Sequence, residues 1–265
     1  MENKIKSLKE LIIQAGEMLL AAHDQENAEN VSEKDGDAAN MVTKYDVSVQ
    51  NFLIKEITAL FPDAYFIAEE KDNDSDVLNK ECCFIIDPID GTANFVHDYR
   101  HSCISIAMFS RSEAVFGAVY DPYLHELFTA EKGRGAYLNE KRISIVNRGF
   151  EHSILAFGSS PYYKKELGEK SFKLCHELFM SCSDIRRCGS AALDLAYLAA
   201  GRNDMFFECT LSPWDYAAGQ LIVKEAGGIV SDMDGNPLCF NKRSPVLAAT
   251  PSTYDELLEK VRKYM

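Results

Sequence analysis

The sequence predicts a mixed α+β or layered α/β fold. Long segments with apolar residues at helical spacing alternate with short apolar runs typical of antiparallel strands. The chain has 265 residues, of which 46% are hydrophobic and 26% charged, as in ordinary globular proteins. This composition excludes disordered and fibrous classes. Because we find no internal repeat, low-complexity segment or flexible linker, residues 1–265 are expected to form a single unit.

The helices are predicted from their apolar faces. In the first segment, Ile5, Leu8, Ile12 and their successors to Ala22 recur at steps of three and four. Pro62 ends the second helix, and small residues or glycines bound most of the others. A polar stretch rich in Asn, Asp, Glu and Gly predicts a loop over 25–40. The predicted helices cover about 5–22, 43–60, 164–180, 191–200, 214–226 and 253–264.

The strands are predicted from short runs rich in β-branched and aromatic residues. Two of these runs end in acidic residues, at Glu69-Glu70 and at Asp87. A hairpin turn is expected between Val230 and Pro237. The predicted strands cover 65–68, 82–86, 103–109, 114–119, 126–130 and 154–157.

The charge balance limits the partners that the chain can have. There are 28 Lys+Arg against 41 Asp+Glu, a net charge of −13. This excess of acid argues against nucleic acid as a substrate, which requires clustered basic residues, but it allows a phosphorylated small molecule if cations neutralise the carboxylates. No secretory signal and no run of about 18 apolar residues is found, so a membrane is not expected as a partner. Eight cysteines without a CxxC pair predict reduced thiols in a cytoplasmic protein.

Carboxylates at the ends of neighbouring strands could converge on one point. Asp87 and Asp90 lie three residues apart around Pro88, which fixes a backbone angle, and Gly91 permits a sharp turn. Thr92 follows at the start of a helix, where free backbone N–H groups can bind an anion. Taken alone, these residues are equally consistent with an ordinary turn and helix cap. The apolar run before Asp87 favours a position near the core.

Three further acidic residues have structural as well as functional interpretations. Asp46 follows Thr43 at the spacing of a capping box. Asp215 lies in the first turn of a predicted helix, where the helix dipole favours an acid. Glu208 ends an apolar strand-like run and, as an isolated Glu at that position, could be structural. The residues alone leave these alternatives open.

The motifs together resemble the inositol monophosphatase family. The resemblance is carried by three motifs, which occur along the chain in that family's order. They are Ala68-Glu-Glu70, Asp87-Pro-Ile-Asp-Gly-Thr92 and Trp214-Asp-Tyr-Ala-Ala-Gly219. Residues 43–46 and 189–192 match two further motifs, so the similarity spans nearly the whole chain. It implies a layered α-β-α-β-α sandwich of the sugar phosphatase type, usually a homodimer. It also implies a metal-binding half at 1–146 and a substrate-completing half at 147–265.

The resemblance implies a Mg²⁺-dependent, lithium-sensitive phosphomonoesterase. Two or three Mg²⁺ ions, or Mn²⁺ in their place, would be cofactors, in line with a ligand set of oxygens without His or Cys. Such ions activate an attacking water and stabilise the leaving oxygen. The implied metal ligands are Glu69, Asp87, Asp90, Asp215 and the carbonyl of Ile89.

The same resemblance assigns catalytic and substrate-binding residues. Asp46 and Thr92 would orient the attacking water, with Glu70 supporting that region. The N–H groups of Gly91 and Thr92 would hold the phosphate. The implied substrate-binding residues are Gly91, Thr92, Gly189, Ser190, Ala191, Glu208 and Asp215.

The substrate remains open at this stage. The pocket residues favour inositol 1-phosphate, whereas relatives act on fructose 1,6-bisphosphate, adenosine bisphosphates, NADP or histidinol phosphate. A haloacid-dehalogenase-type phosphatase is disfavoured, because its nucleophile and second Asp are two residues apart and Asp87 and Asp90 are three apart. A hypothesis of another class is a regulatory binding protein that retains the fold.

Overall fold

Seven α-helices form in the part of the chain that the computed structural model describes, residues 2–23, 31–33 and 41–264. The six predicted helices are confirmed, each within three residues of its expected ends, and a short helix begins at Thr92, where the sequence also indicated a helix start. The helices are α1 (Glu2–His23), α2 (Lys44–Leu60), α3 (Thr92–Val96), α4 (Lys164–Phe179), α5 (Ala191–Ala199), α6 (Pro213–Glu225) and α7 (Tyr254–Tyr264).

Fourteen strands are found in the same residues, including all six that were predicted. The prediction missed mainly strands of three or four residues, which are too short to show alternation. The strands are β1 (Val31–Glu33), β2 (Met41–Thr43), β3 (Tyr65–Ala68), β4 (Cys83–Asp90), β5 (Cys103–Ser110), β6 (Glu113–Asp121), β7 (Glu126–Glu131), β8 (Gly135–Leu138), β9 (Lys141–Ile143), β10 (Ile154–Phe157), β11 (Asp184–Arg186), β12 (Met205–Leu211), β13 (Ile229–Ser231) and β14 (Ser244–Ala249).

The strands form two large sheets and one ribbon. A seven-stranded sheet has the order β3-β4-β5-β6-β7-β8-β9 and is antiparallel except for the β3–β4 pair. A five-stranded sheet has the order β11-β10-β12-β14-β13, with β10 parallel to both of its neighbours. The ribbon pairs β1 with β2. The predicted loop over 25–40 is therefore wrong at Val31–Glu33, and its other residues lie outside those described.

Helices cover both faces of each large sheet. The pair α1 and α2 packs on one face of the seven-stranded sheet, and α5 and α6 lie between the two sheets. The pair α4 and α7 covers the outer face of the five-stranded sheet. The chain is thus an α-β-α-β-α sandwich, which confirms the expected fold. The division into halves at residue 146 stays a prediction.

Strand β4 shows how this layering follows from sequence. Successive side chains of a strand face opposite sides of a sheet. Phe84 and Ile86 pack in the cluster with α1 and α2, while Cys83 and Ile85 pack in the cluster with α5 and α6. A strand buried on both faces has a continuous apolar run, as here. Asp87 continues the second series and faces the central helices.

Two strands continue further than predicted, and both change register near acidic residues. The predicted end of β4 at Ile86 is wrong, because the strand runs to Asp90 with a register shift between Asp87 and Asp90. Pro88 has no N–H to donate to the ladder, which explains the irregularity. Glu208 does not end its strand, because β12 reaches Leu211 with a shift after Glu208. Such irregularities redirect side chains.

Two expectations about the whole chain can be compared with the structure. All eight cysteines are free thiols, as predicted. Among the described residues, no helix combines the length and apolar character needed to cross a membrane.

Candidate functional site

A cavity of about 290 Å³ brings together the ends of elements from both sheets and the central helix layer. Its walls contain most of the residues that the sequence singled out. Those lining it are Glu69, Asp87, Ile89, Asp90, Gly91, Thr92, Gly189, Ser190, Ala191, Glu208 and Asp215.

Three carboxylates form the centre of the cavity, and we call Asp87, Asp90 and Asp215 the acid cluster. One oxygen of each lies within 4.8 Å of the others. Asp87 and Asp90 come from the two sides of the β4 register shift, and Asp215 comes from the first turn of α6. Glu69 lines the same cavity at the end of β3, where its N–H donates to the carbonyl of Ile86 at 3.2 Å. Strand ends and one helix start therefore position all four acids.

Hydrogen bonds from the surrounding backbone hold each member of the acid cluster. Oδ1 of Asp87 accepts from the N–H of Ile89 at 3.0 Å. Oδ2 of Asp215 accepts from the N–H of Ser212 at 2.6 Å, the position of a first-turn acid that caps α6. Both interpretations of Asp215 from sequence are thus compatible, because a single carboxylate caps its helix and faces the cavity.

The start of α5 holds Asp90. Its Oδ2 accepts from Ser190 Oγ at 2.5 Å and from the N–H of Ala192 at 2.7 Å. Ser190, which the resemblance assigned to the substrate, therefore contacts a carboxylate of the acid cluster. Gly189 precedes it with φ of 88°, a left-handed conformation that glycine adopts readily.

The electrostatics of the acid cluster reflect burial and crowding. Burial raises the pKa of Asp87 well above its usual value, and the charges of Glu69, Asp90 and Asp215 raise it further. Burial, then Asp90 and Glu69, raises the pKa of Asp215 in the same way. The pKa of Asp90 rises from 3.8 to about 6, because burial outweighs the hydrogen bonds from Ser190 and Ala192. Without a cation, burial and mutual repulsion therefore favour the protonated forms of these acids.

Asp46 and Thr92 form a hydrogen-bonded pair at the edge of the cavity. Asp46 is fully buried at the start of α2, where its Oδ2 accepts from the N–H of Thr43 at 2.7 Å in a capping box. Its other oxygen, Oδ1, lies 3.3 Å from Thr92 Oγ1, which also lies 3.1 Å from the carbonyl of Ile89. Burial raises the pKa of Asp46 from 3.8 to about 7. The cap and the contact with Thr92 thus coexist.

Glu70 lies beside Asp46 and is not among the residues that line the cavity. Gln50 of α2 fixes its backbone, with Nε2 donating to the carbonyl of Glu70 at 2.9 Å and Oε1 accepting from its N–H at 2.8 Å. The turn after β3 is therefore tied to α2. This tie keeps Glu69 and Glu70 near the other acids.

Glu208 forms the opposite wall and is only 8% exposed. It shares a face of β12 with Phe206, which packs toward the central helices. Oε1 accepts from the N–H of Ser160 at 2.8 Å. Burial raises the pKa of Glu208 from 4.5 to about 7, against the opposing effects of Ser160 and Arg187. Its burial and its hydrogen bond from Ser160 are compatible with a structural as well as a functional role.

Glycine is required next to Glu208. A Cβ at Gly158 would lie 1.8 Å from Glu208 Oε2, too close for any side chain. We expect Gly158→Ala to destabilise the fold by about 1–3 kcal/mol, because the buried carboxylate must move. Urea unfolding measures the effect.

A matched control exists for this prediction. Gly149→Ala adds a Cβ that meets nothing within 4 Å, and it should change stability by less than about 0.5 kcal/mol. Adding Glu208→Ala to Gly158→Ala should recover part of the loss, because the two residues are in contact. Equal stabilities of the two glycine variants would contradict the steric explanation.

Sequence reasoning missed several residues of the cavity. Arg187, Tyr162 and Arg243 line it, although the segments that supply them are distant in sequence from the acids. Asn94 also lines it, and its Nδ2 donates to the carbonyls of His101 and Cys188 at 2.7 and 2.8 Å. Two of these residues belong to basic pairs, Arg186-Arg187 and Lys242-Arg243, but similar pairs occur at 141–142, 164–165 and 262–263, so such pairs are not a specific signal.

The acid cluster fits a hard divalent cation. Mg²⁺ and Mn²⁺ prefer carboxylate and carbonyl oxygens, and the cluster with Glu69 and the Ile89 carbonyl offers these. A bound cation would offset both the burial and the repulsion that raise the pKa values of Asp87 and Asp215. The arrangement is therefore an acidic group that can bind metal, adjacent to a hydroxyl paired with a carboxylate.

Comparisons with known proteins all indicate the same family. The family model described as the inositol monophosphatase family matches residues 1–265. A relative from Vibrio cholerae, named Nus factor SuhB, is 38% identical over 243 residues, which cover 91% of this chain and 90% of the relative. Among solved structures, an IMPase from Thermotoga maritima has a TM-score of 0.88 at 33% identity, covering 100% of this chain and 98% of its own.

A further structural neighbour was solved with ligands. SaIMPase-II with inositol monophosphate bound has a TM-score of 0.80 at 26% identity, with coverage of 96% of this chain and 92% of the neighbour. The same protein was solved with 2′AMP bound, at a TM-score of 0.79 and 28% identity, covering 94% of this chain and 90% of the neighbour.

Proposed function

This chain belongs to the inositol monophosphatase family, and on that premise we propose that it is a Mg²⁺-dependent phosphomonoesterase acting on inositol 1-phosphate. The products would be inositol and phosphate. The observation that carries the proposal is the acid cluster, whose three carboxylates lie within 4.8 Å of one another in a cavity that Thr92 and Glu208 also line.

Two or three Mg²⁺ ions, or Mn²⁺ in their place, would be held by four carboxylates and one carbonyl. These ligands are Asp87, Asp90, Asp215, Glu69 and the carbonyl of Ile89. When bound, such ions supply activation of water and neutralisation of charge on the phosphate and leaving oxygen. The protein's part is to hold these ligands in place before substrate arrives. The hydrogen bonds from Ile89, Ser190, Ala192 and Ser212 do so.

Thr92 and Asp46 would position the attacking water and accept its proton. The Thr92 hydroxyl can donate either to Asp46 Oδ1 or to the Ile89 carbonyl, and in the proposed reaction it donates to Asp46, which leaves lone pairs on Oγ1 to accept a hydrogen bond from water. As water attacks phosphorus, its proton can pass to Thr92 Oγ1 while the Thr92 proton passes to Asp46 Oδ1. A pKa of about 7 suits Asp46 to this exchange at neutral pH. Glu70 adds a second negative charge beside Asp46.

Backbone N–H groups would orient the phosphate. Gly91 has φ of 92° and precedes Thr92 at the start of α3. A Cβ at Gly91 would lie 3.1 Å from the His101 carbonyl and 3.2 Å from the Gly189 carbonyl, so this turn leaves little room for a side chain. We propose that the N–H groups of Gly91 and Thr92 donate to phosphate oxygens.

The polyol would lie between Glu208 and the 189–191 turn. Carboxylates of Glu208 and Asp215 can accept hydrogen bonds from neighbouring hydroxyls of inositol, and the backbone at Gly189, Ser190 and Ala191 borders the same space. The neighbour with inositol monophosphate bound supports this substrate. Its complex with 2′AMP keeps nucleotides among the alternatives.

A substrate panel tests the choice. Phosphate release in Mg²⁺ should be fastest with inositol 1-phosphate and slower with fructose 1,6-bisphosphate, an adenosine bisphosphate, NADP and histidinol phosphate. Glu208→Gln should reduce kcat/KM for the inositol ester by roughly tenfold, because a charged acceptor for the substrate hydroxyl is replaced by a neutral one. A higher kcat/KM for any other ester would replace the proposed substrate. Lithium should inhibit the same reaction.

The name of the Vibrio cholerae relative, Nus factor SuhB, favours a second candidate. The chain could act by binding a partner, with or without turnover. Suppose that cells lacking the chain show a defect. If binding suffices, expression of the wild type and of Asp90→Asn would correct that defect equally. Correction by the wild type alone would assign the defect to the loss of catalysis. A homodimer and a cytoplasmic location stay predictions, the first testable by sedimentation equilibrium.

A further inference from the structure

A second group of metal-ligating side chains lies beside the cavity, and it has no role in the proposed reaction. A ring nitrogen of His101, Sγ of Cys188 and a carboxylate oxygen of Asp194 lie within 4.8 Å of one another. His101 lies two residues before the start of β5, Cys188 directly precedes Gly189, and Asp194 lies in the first turn of α5. None of the three belongs to the acid cluster. We call them the His-Cys-Asp group.

The backbone around the His-Cys-Asp group is held in place before any ligand binds. The side-chain amide of Asn94 donates to the carbonyls of both His101 and Cys188, and so ties the two segments together. Asp194 is anchored in α5, where its N–H donates to the Ser190 carbonyl at 3.0 Å. The His101 ring packs edge-on against Tyr197, with centroids 5.9 Å apart. Rigid supports of this kind favour metal binding.

An independent observation points to a ligand at this position. Nε2 of His101 is buried, and within the described residues it has no hydrogen-bond partner. A buried polar atom without a partner is uncommon in folded proteins and often marks an ion or water. Asp194 is only 3% exposed, and a buried carboxylate is costly unless it is paired. The charge of Arg187 partly offsets the effect of burial on the pKa of Asp194, while Arg187 Nη2 donates to Ser159 Oγ at 3.0 Å.

The combination of imidazole, thiolate and carboxylate selects the kind of ion. Mg²⁺ and Ca²⁺ prefer oxygen ligands alone, whereas Zn²⁺ binds nitrogen, sulfur and oxygen in four-coordinate sites. Three protein ligands leave one position for water or for a ligand in the cavity, which Asp194 also lines. We propose that His101, Cys188 and Asp194 bind Zn²⁺ or a similar transition-metal ion. On binding, the Cys188 thiol loses its proton to solvent.

Cobalt titration of the full chain tests this site independently of phosphatase activity. With Mg²⁺ in excess, Co²⁺ added to the wild-type protein should produce the intense near-ultraviolet band of a thiolate–cobalt bond. The acid cluster itself has only oxygen ligands, but Cys103 Sγ lies 3.9 Å from Asp90 Oδ2, so the titration is repeated with Cys103→Ala, in which the band should persist. Zn²⁺ should displace Co²⁺ and abolish it.

Variants locate the bound ion. Cys188→Ser and Cys188→Ala should each abolish the band, while His101→Ala and Asp194→Asn should weaken Co²⁺ binding by about tenfold or more. Cys239→Ser is the matched control, because this partly buried cysteine lies outside the group and donates to Asn241. Circular dichroism confirms that each variant is folded. Absence of the band in the wild type, or its persistence in both Cys188 variants, would overturn the proposal.

Discussion

Asp90→Asn is expected to lower kcat for phosphate release by at least about a hundredfold while leaving the fold intact. Asparagine retains an oxygen that can accept from Ser190 Oγ and from the N–H of Ala192, so the contacts that position residue 90 survive. It loses the negative charge that makes Asp90 a metal ligand in the proposed site. The effect should therefore fall on turnover and on Mg²⁺ dependence rather than on folding.

The measurement compares kcat across a Mg²⁺ titration with urea unfolding of the same preparations. Asp74→Asn is the matched control, since it removes the same charge at an exposed 3₁₀-helix cap that asparagine also serves well. It should keep wild-type activity. If Asp90→Asn retained wild-type kcat at saturating Mg²⁺, the assignment of Asp90 as a metal ligand would fail.

In the absence of divalent cations, the free energy of unfolding is expected to fall as pH rises from about 4 to about 8. A carboxyl whose pKa is higher in the folded than in the unfolded state binds more protons when folded, so stability falls as pH increases between the two values. Asp90, with a pKa of about 6, and Asp46 and Glu208, with pKa values of about 7, all have this sign.

Saturating Mg²⁺ should remove the part of this pH dependence that comes from the acid cluster, because a bound cation favours the ionised carboxylates of its ligands. The free energy of unfolding in urea, measured across this pH range in EDTA and again in Mg²⁺, gives the difference directly. Exposed acids titrate in both series and cancel. Parallel curves would show that no divalent ion binds the acid cluster.

Sequence patterns predicted the long elements well, because their apolar faces are set by the layers that they contact. For example, helices α1 and α6 and strands β4 to β7 are each buried on one or two faces, where they contribute to a large hydrophobic cluster. Strands β9, β11 and β13 have three residues each, so they depend on a neighbouring strand and leave no periodic signal.

The acids of the site were also predictable, but their surroundings were not. Asp87, Asp90 and Asp215 occur in motifs, so sequence could nominate them together. The register shifts that aim Asp90 and Glu208 depend on pairing with β5 and β14, which a local pattern does not contain. Arg187 and Tyr162 reach the cavity only through long-range packing.

Helix caps illustrate why the structural and functional interpretations could not be separated by sequence. Asp46 and Asp215 each occupy the third position of a helix and accept a backbone N–H there. Each also has a second oxygen available, and in Asp46 that oxygen faces Thr92. The capping hydrogen bond fixes the position of the carboxylate, and its second oxygen is then available to the candidate site.

Phosphate release from inositol 1-phosphate by the purified chain, with Mg²⁺ and with EDTA, tests the central claim most directly. The account predicts turnover that requires Mg²⁺, stops in EDTA, returns when Mg²⁺ is restored, and is nearly lost in Asp90→Asn. Absence of release from inositol 1-phosphate and from every other ester of the panel, or release that EDTA does not change, would contradict it.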